Sequence, residues 1–549
     1  MPLYKNFARF YEWFLVSRGD KAAAARWGQL KAHIALSAKL LRLGKPVEHL
    51  QYALRASLAP GSAIEKITAT ARQIAYVLFL SLDNILWAKA LNLISVRQET
   101  YVKLGKLALR SWLAAIIFSI VNSIFKTARL SRETRLLKAG KHDEKNLNLE
   151  ADRKTKLRAL ALMRADVRYQ LTIDMLDLWN PATTLGFTNL NDGAIGIFGS
   201  VSSFLLGHDE YSILVGRFQL LWASENSGVC LGRIKAAGYG FRFLYGIKIN
   251  IWSLSCLLRG PLKLPICEDL NIFLEFGLSP AAIGAAFNTC ESTFSTSSTT
   301  MANVASQIVL HPAVSQSLKV GATTLGRDKA YRAAQNFARF YAWLLISQGH
   351  KANAARWTAL KSHLGTARKL LRLGKPMEHL QAALRATLAS GTPALEQIIT
   401  IARQLAYFGY LSLDMLSWAH SIKFANFHPD TAAKIARVAN RSWLAGILLN
   451  IIHAAVKTAR LRREAKLLHA EKHQEKDLSL EAERAAKLRV IATTRAAVRH
   501  QFVIDLLDLW NPATSLGLSN LNDGVVGIFG VISSLMALEK HWHAVGGKN

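Results

Sequence analysis

Two segments of this chain carry an apolar stripe edged by basic residues, a pattern suited to binding an anionic lipid surface. Each segment precedes the sequence LRLGKP, and its apolar residues recur at spacings of three and four, which form one narrow stripe on a helix. The stripe nearer the C-terminus is Trp357, Leu360, Leu364, Ala367 and Leu371. The earlier stripe is Trp27, Leu30, Ile34, Ser37 and Leu41. We call these two sets the apolar stripes, and we predict that their large residues enter a bilayer.

Basic residues flank both stripes, and no acidic residue falls between Asp20 and Glu48. Lys and Arg stems cover apolar surface while their charged ends reach phosphates. The residues predicted to contact anionic lipid are Arg26, Lys31, Arg42, Arg356, Lys361, Arg368, Lys369 and Arg372. Stripes of this spacing also suit the core face of a helical bundle. The sequence therefore leaves both uses open, including a helix that packs at rest and inserts when exposed.

No pattern in the sequence predicts catalysis, a cofactor or a metal site. Phosphate-loop, HExxH, paired CxxC and GxSxG motifs are missing. Asp83 and Asp414 lie inside apolar runs, where a carboxylate serves either an ion relay or a helix end near water. His49 and His379 each follow LGKP beside a glutamate, which is not a metal-ligand spacing. We predict a protein that is not an enzyme.

The chain contains one domain twice. Residues 24–56 return at 354–386 and residues 177–199 return at 508–530, so the offset is 330 early in the unit and 331 later. Self-similarity over such a length indicates two copies of a whole domain. We predict copy one at 1–207, without the head segment that precedes copy two, and a complete copy two at 301–549. Between them, 208–300 is an unrelated neutral insert that holds all four cysteines.

Each copy is predicted to be all-α, with short hydrophobic segments between amphipathic helices. Ala, Leu, Lys and Arg dominate, and strand-like alternation is scarce. LGKP predicts a helix end at Gly44 and Gly374, and WNPAT predicts a helix start near Pro181 and Pro512. Three apolar segments of about 14 residues recur in each copy, shorter than the roughly 20 residues of a confident membrane span.

The third apolar segment of each copy has glycines three residues apart. These are Gly193, Gly196 and Gly199 in copy one and Gly524, Gly527 and Gly530 in copy two. Such spacing gives a smooth helix face for close packing, which membrane helices tolerate. A glycine-rich loop before a short helix is the alternative interpretation.

The composition combines 51% hydrophobic residues with a formal net charge of +32, and all of that charge lies in the two copies. This combination indicates an anionic partner, either nucleic acid or acidic phospholipid. The aromatic residues lie in apolar stripes rather than among exposed basic residues, which is not typical of a nucleic-acid interface. We therefore predict an anionic phospholipid membrane as the partner and no nucleic acid.

Four segments in order, found at 323–335, 367–383, 406–418 and 505–536, resemble the peroxin-11 family of peroxisomal membrane proteins. Copy two resembles one whole family member, and copy one carries every segment but the first. The tandem arrangement and the insert depart from the family pattern.

The resemblance implies a helical protein of the peroxisomal membrane with both termini in the cytosol. It implies that the helix before LRLGKP inserts into the cytosolic leaflet and promotes curvature, elongation and fission of the organelle. Its implied partners are further copies in a homo-oligomer, the import receptor for peroxisomal membrane proteins and a dynamin-type fission machinery. A pore for small metabolites is the alternative function that the resemblance allows.

Overall fold

Every regular element in the described part of the chain is a helix. The structure, a computed structural model, describes residues 2–59, 62–139, 147–207, 307–389, 391, 393–470 and 478–546, so the insert 208–300 lies outside the described residues. Copy one contains, in order, α1 (Pro2–Ser17), α2 (Lys21–Leu40), α3 (Lys45–Leu58), α4 (Ala63–Ala90), α5 (Gln98–Ala139), α6 (Leu147–Thr184) and α7 (Asp192–Gly207).

Copy two repeats these helices and adds one at its head. It contains α8 (Pro312–Ala322), α9 (Thr324–Ser347), α10 (Lys351–Leu371), α11 (Lys375–Leu388), α12 (Ala394–Ser421), α13 (Pro429–Ala470), α14 (Leu478–Ser515) and α15 (Asp523–Gly546). Residues 307–311, helix α8 and the first turns of α9 as far as Tyr331 form what we call the head segment. Residues 1–205 and 309–549 belong to one structural unit, and 206–308 to another.

Local sequence explains where several helices begin. The Asp20 side chain accepts a hydrogen bond from the Ala23 backbone N–H at 3.0 Å, and Thr323 caps α9 through the N–H of Gly326. In LGKP the predicted helix end is confirmed, because a turn at 41–44 separates α2 from α3 and Pro46 stands in the first turn of α3.

The predicted helix start at WNPAT is wrong. Pro181 and Pro512 lie inside α6 and α14, within the last turn of each helix. Both prolines are fully buried, so ring packing offsets the backbone hydrogen bond that a proline cannot donate. The helices end a few residues further on, at Thr184 and Ser515.

Consecutive helices of each copy pack as long antiparallel neighbours. In copy one α4 packs on α5 and α5 on α6, and in copy two α12, α13 and α14 repeat this order. The last helix returns to the first, since α15 packs along α9. Three of the described helices, α5, α13 and α15, are long and apolar enough to cross a membrane by length and composition. The protein is therefore all-helical and membrane-associated.

The glycines of the last helix allow its backbone to approach the first helix of the same copy. A Cβ atom added at Gly196 would lie 2.7 Å from the backbone nitrogen of Phe10, and one added at Gly527 would lie 2.8 Å from that of Phe340. The neighbouring glycines face Trp13 and Asn6 in copy one and their equivalents in copy two. The glycine face therefore sits on protein of its own copy.

We expect Gly527→Ala to lower the free energy of unfolding by about 1–3 kcal/mol, because the new methyl meets backbone that cannot yield. The measurement is thermal unfolding in detergent, followed by helical circular dichroism. Gly105→Ala is the control, since nothing lies within 4 Å of its added Cβ and alanine favours a helix. Equal stability of the two variants would contradict the close approach.

Candidate functional site

The two apolar stripes lie where copy one meets copy two. Ile34 and Leu364, at equivalent positions in α2 and α10, are buried with only 3% and 2% of their surface exposed. The other large stripe residues are half-buried, namely Trp27, Leu30, Leu41, Trp357, Leu360 and Leu371. The surface of α2 and α10 that the other copy covers is thus centred on the stripe and extends to one side of it.

Two apolar clusters related by the repeat join the copies. One cluster brings Leu40, Trp87 and Leu91 of copy one against Leu364 and Ala367 of copy two. The other brings Leu370, Trp418 and Ile422 of copy two against Ile34 of copy one. Apart from Ala367, each position in one cluster has its repeat equivalent in the other, so the two copies contribute nearly the same surface. We call these residues the copy interface.

A tryptophan–histidine pair accompanies each cluster. The Trp87 indole Nε1 donates to Nε2 of His363 at 3.3 Å, with both side chains buried. The equivalent rings, Trp418 and His33, lie 6.0 Å apart, and their Nε1 and Nε2 atoms are buried without a hydrogen-bond partner. Burial, and to a lesser extent the nearby His33, lowers the pKa of His363 to about 4. The neutral imidazole is therefore the form that accepts the indole hydrogen.

The head segment of copy two adds polar contacts to copy one. The Tyr331 hydroxyl donates to the Leu40 carbonyl at 3.0 Å, and the Gln51 amide donates to the Val309 carbonyl at 2.6 Å. The Gln51 amide also reaches the Ser315 hydroxyl at 3.3 Å. These contacts cover the end of α2 and one face of α3, so one head segment touches both copies.

Asp83 and Asp414 each receive two cations from the basic edge of the neighbouring stripe. Lys39 Nζ and an Arg42 nitrogen lie 2.9 and 2.8 Å from the Asp83 carboxylate. In copy two, Lys369 and Arg372 lie 2.8 and 3.2 Å from Asp414. The two aspartates thus serve as counter-ions that attach α2 to α4 and α10 to α12. This role differs from the ion relay and from the helix end near water that were proposed from the sequence.

Most of the predicted lipid-contacting cations have carboxylate partners. Besides the pairs with Asp83 and Asp414, Lys31 binds Glu12 at 2.5 Å, Lys361 approaches Asp523 at 3.5 Å, and Arg368 binds Asp328 at 3.0 Å. Arg26 and Arg356 are exposed at the starts of α2 and α10. The basic edges are therefore largely neutralised within each copy.

Arg368 marks a difference between the two copies. Its partner Asp328 belongs to the head segment, and the position equivalent to Arg368 in copy one is Ala38. A buried cation without its carboxylate would be costly, so Asp328 stabilises the charge of Arg368.

The histidines after LGKP bind amides in the described structure. Nδ1 of His49 lies 2.7 Å from the Gln73 side-chain oxygen, and Nδ1 of His379 lies 2.6 Å from that of Gln404. Within the residues that the structure describes, no three His, Cys, Asp or Glu side chains are grouped as metal ligands would be.

Sequence reasoning missed most of the copy interface, of which it found Ile34, Leu364 and Ala367. Leu40, Leu370 and the two histidines lie one helical step beside the stripes, and Trp87 and Trp418 come from α4 and α12. The available signal was the repeat itself, because both tryptophans and both histidines recur at equivalent positions. Nothing in either segment, however, indicated which surface would cover them.

These features define an all-helical, membrane-associated protein built from two homologous domains, with amphipathic helices at their junction. A family model described as Peroxisomal biogenesis factor 11 (PEX11) matches residues 3–209 and 314–542, which together cover most of the chain. The chain belongs to this family of peroxisomal biogenesis factors, present as a tandem duplication.

Single-domain relatives resemble part of the chain along nearly their whole length. Peroxisomal membrane protein PMP27 of Saccharomyces cerevisiae is 27% identical over 244 residues, 44% of this chain and 99% of the relative. Peroxisomal biogenesis factor 11 of Schizosaccharomyces pombe is 23% identical over 39% of this chain and 89% of its own length. Peroxisomal membrane protein 11A of Mus musculus is 26% identical over 40% and 93%. No solved structure matches the chain significantly.

We expect Asp83→Asn and Asp414→Asn each to destabilise the fold by about 1–3 kcal/mol, because two cations lose their buried counter-ion. Thermal unfolding in detergent measures the change. The control is Asp166→Asn on exposed α6 surface. If Asp83→Asn unfolds at the same temperature as the control variant, the Asp83 carboxylate does not hold α2 to α4.

We also expect the folded state to lose stability as the pH falls below about 6.5, the ordinary pKa of histidine. The folded protein holds His363 neutral, whereas in the unfolded chain this side chain takes up a proton. Acid therefore lowers the free energy of unfolding, by up to about 3 kcal/mol near pH 4. His33 and Lys423 line the same cavity as His363 and would repel the added charge.

The measurement is the unfolding midpoint between pH 7 and pH 4. His363→Gln, whose amide oxygen can still accept from Trp87, should make this dependence shallower. If the unfolding midpoints of the wild-type chain and of His363→Gln depend equally on pH, groups other than His363 cause the acid sensitivity.

Proposed function

We propose that this chain is a protein of the peroxisomal membrane that promotes membrane curvature, elongation and fission by inserting α2 and α10 into the cytosolic leaflet. The observation that carries the proposal is the stripe that recurs in both copies, apolar on one face and basic at its edges. Family membership and the names of the relatives support the location. A wedge confined to one leaflet expands that leaflet and favours curvature.

The magnitudes favour binding. Each large apolar side chain moved from water to lipid contributes roughly 1.5–3 kcal/mol, and each cation near an anionic surface about 1 kcal/mol. For a stripe that has first been exposed to water, four large apolar residues with the flanking cations give on the order of 10 kcal/mol, before the costs of ordering and of exposing the stripe. Arg26 and Arg356 offer the first electrostatic contact, because both are exposed and neither forms an ion pair with a carboxylate of the described residues.

The proposal includes a topology and partners. Basic stretches at 126–142 and 457–473 follow the candidate spans in α5 and α13, which favours the cytosolic side for these stretches by the positive-inside rule. We place both termini in the cytosol. Homo-oligomers, the import receptor for peroxisomal membrane proteins and a dynamin-type fission machinery are the proposed partners.

A pore for small metabolites is a second candidate, favoured by a polar cavity in copy two. This cavity of about 220 Å³ is lined by residues of five helices, and three of these helices supply the charged residues Lys329, Arg332, Arg368, Asp505 and Asp508. A pore predicts solute release from reconstituted vesicles without tubulation, whereas the wedge predicts tubulation without release.

We expect the combined substitutions Leu30→Glu, Leu41→Glu, Leu360→Glu and Leu371→Glu to abolish vesicle tubulation. Each replaces an apolar anchor by a charge, so binding to vesicles containing phosphatidylserine should weaken by about 100-fold or more. Delivery to peroxisomes should persist, since the candidate spans are untouched. Electron microscopy of vesicles and sedimentation measure the two effects.

The matched control is Leu58→Glu with Leu388→Glu, two equivalent residues that are 80% and 84% exposed on other helices. This variant should tubulate as the original chain does. Tubules formed by the stripe variant at the control's level would refute insertion by α2 and α10.

A further inference from the structure

Several of the residues proposed to enter the bilayer also lie at the junction of the two copies. Ile34 packs with Leu370 and Trp418, and Leu364 packs with Leu40 and Trp87. In this arrangement the buried part of each stripe faces protein. The half-buried Trp27 is also covered from the other copy, since its ring meets that of Phe424 edge-on at 5.3 Å.

The contact is isologous, which means that equivalent surfaces meet. In a two-fold dimer of identical subunits, residue i of one subunit contacts j of the other, and j contacts i. Here Leu40 contacts Leu364, and their equivalents Leu370 and Ile34 also contact each other. A surface that meets its own copy in this way is self-complementary, and joining the copies in one chain raises the effective concentration of each for the other.

The charges follow the same arrangement. With the copies paired, Lys39 and Arg42 share Asp83, and Lys369 and Arg372 share Asp414. The cations that would reach lipid phosphates are thus occupied beside the interface. Of the eight cations predicted to contact lipid, all of them within the described residues, Arg26 and Arg356 are the two that are exposed.

We infer that the copy interface is a pairing surface for a second copy of this domain, and that pairing and bilayer insertion are mutually exclusive uses of it. This inference rests on the proposed function for its bilayer half, while the pairing half stands on the contacts alone. A side chain cannot be buried against protein and lipid at once, so the stripes must separate before either inserts. The fused chain therefore adsorbs to an anionic membrane closed and bends it only after opening.

The first test is a cross-link across the interface in the full-length chain. Gln29 and Ser421 line one cavity from opposite copies and are both exposed. With the four native cysteines replaced by serine, Gln29→Cys and Ser421→Cys are joined by a short reducible bis-maleimide linker. We expect an internal cross-link within single chains, seen as a shifted monomer band that the single-cysteine variants lack.

The cross-link must depend on the interface. Leu40→Asp with Leu370→Asp places a carboxylate in each cluster, and we expect the cross-link yield to fall roughly tenfold or more. The equivalent exposed pair, Leu58→Asp with Leu388→Asp, should leave the yield unchanged. Absence of the internal cross-link in the otherwise native chain would overturn pairing, whatever the vesicles show.

The second test asks whether pairing blocks insertion. The cross-linked chain is added to phosphatidylcholine–phosphatidylserine vesicles before and after the linker is reduced. We expect the locked chain to sediment with the vesicles but to form roughly tenfold fewer tubules, and reduction to restore them.

The outcomes separate the two proposals. Equal tubulation by locked and released chains would overturn mutual exclusion and leave the proposed function intact. Failure of the released chain to tubulate would overturn the proposed function together with the bilayer half of the inference. In that case the cross-link yield still decides whether the copies pair.

Discussion

The apolar faces of α2 and α10 need a cover, and this requirement organises the rest of the molecule. Left in water, a stripe with several large apolar residues costs several kcal/mol, comparable with the net stability of a whole domain. In this structure the other copy covers the middle of each stripe, through α4 and α12 as much as through the stripe helices. Helix α1 or α9 of the same copy covers the start of the stripe, where Trp27 packs on Tyr11 and Trp357 on Tyr341. The ion pairs at Asp83 and Asp414 then hold each stripe helix at the angle at which its partner meets it.

Under the proposed function, the same surfaces bind lipid in one state and join the copies in the other. Acyl chains would cover the apolar centres in the first state, as the other copy does in the second. Anionic lipid would supply counter-ions to the cations at the edges, whereas the folded chain supplies Asp83, Asp414, Glu12 and Asp523. Local carboxylates therefore compete with lipid phosphates for the same cations.

Much of the architecture was readable from sequence because it follows local rules. The repeat, the helical class and the turn at LGKP come from composition and periodicity, and the structure has all three. The role of Asp83 was not readable, because an aspartate in an apolar run looks alike whether it serves an ion path or a nearby lysine. Pro181 was misplaced because a buried ring offsets a missing hydrogen bond, and burial is a tertiary property. The same limit applies to Leu40 and His363, whose neighbours come from a distant part of the chain.

An isologous contact also restricts how many copies one chain can usefully join. Each domain has one such face, and each face engages the other, so the contact closes on itself instead of propagating. A third repeat added to this chain would find no free counterpart within the molecule, and its apolar face would stay open to a further chain or to lipid. Two is thus the smallest number of repeats that satisfies the surface within one chain, and an odd number would favour association between chains.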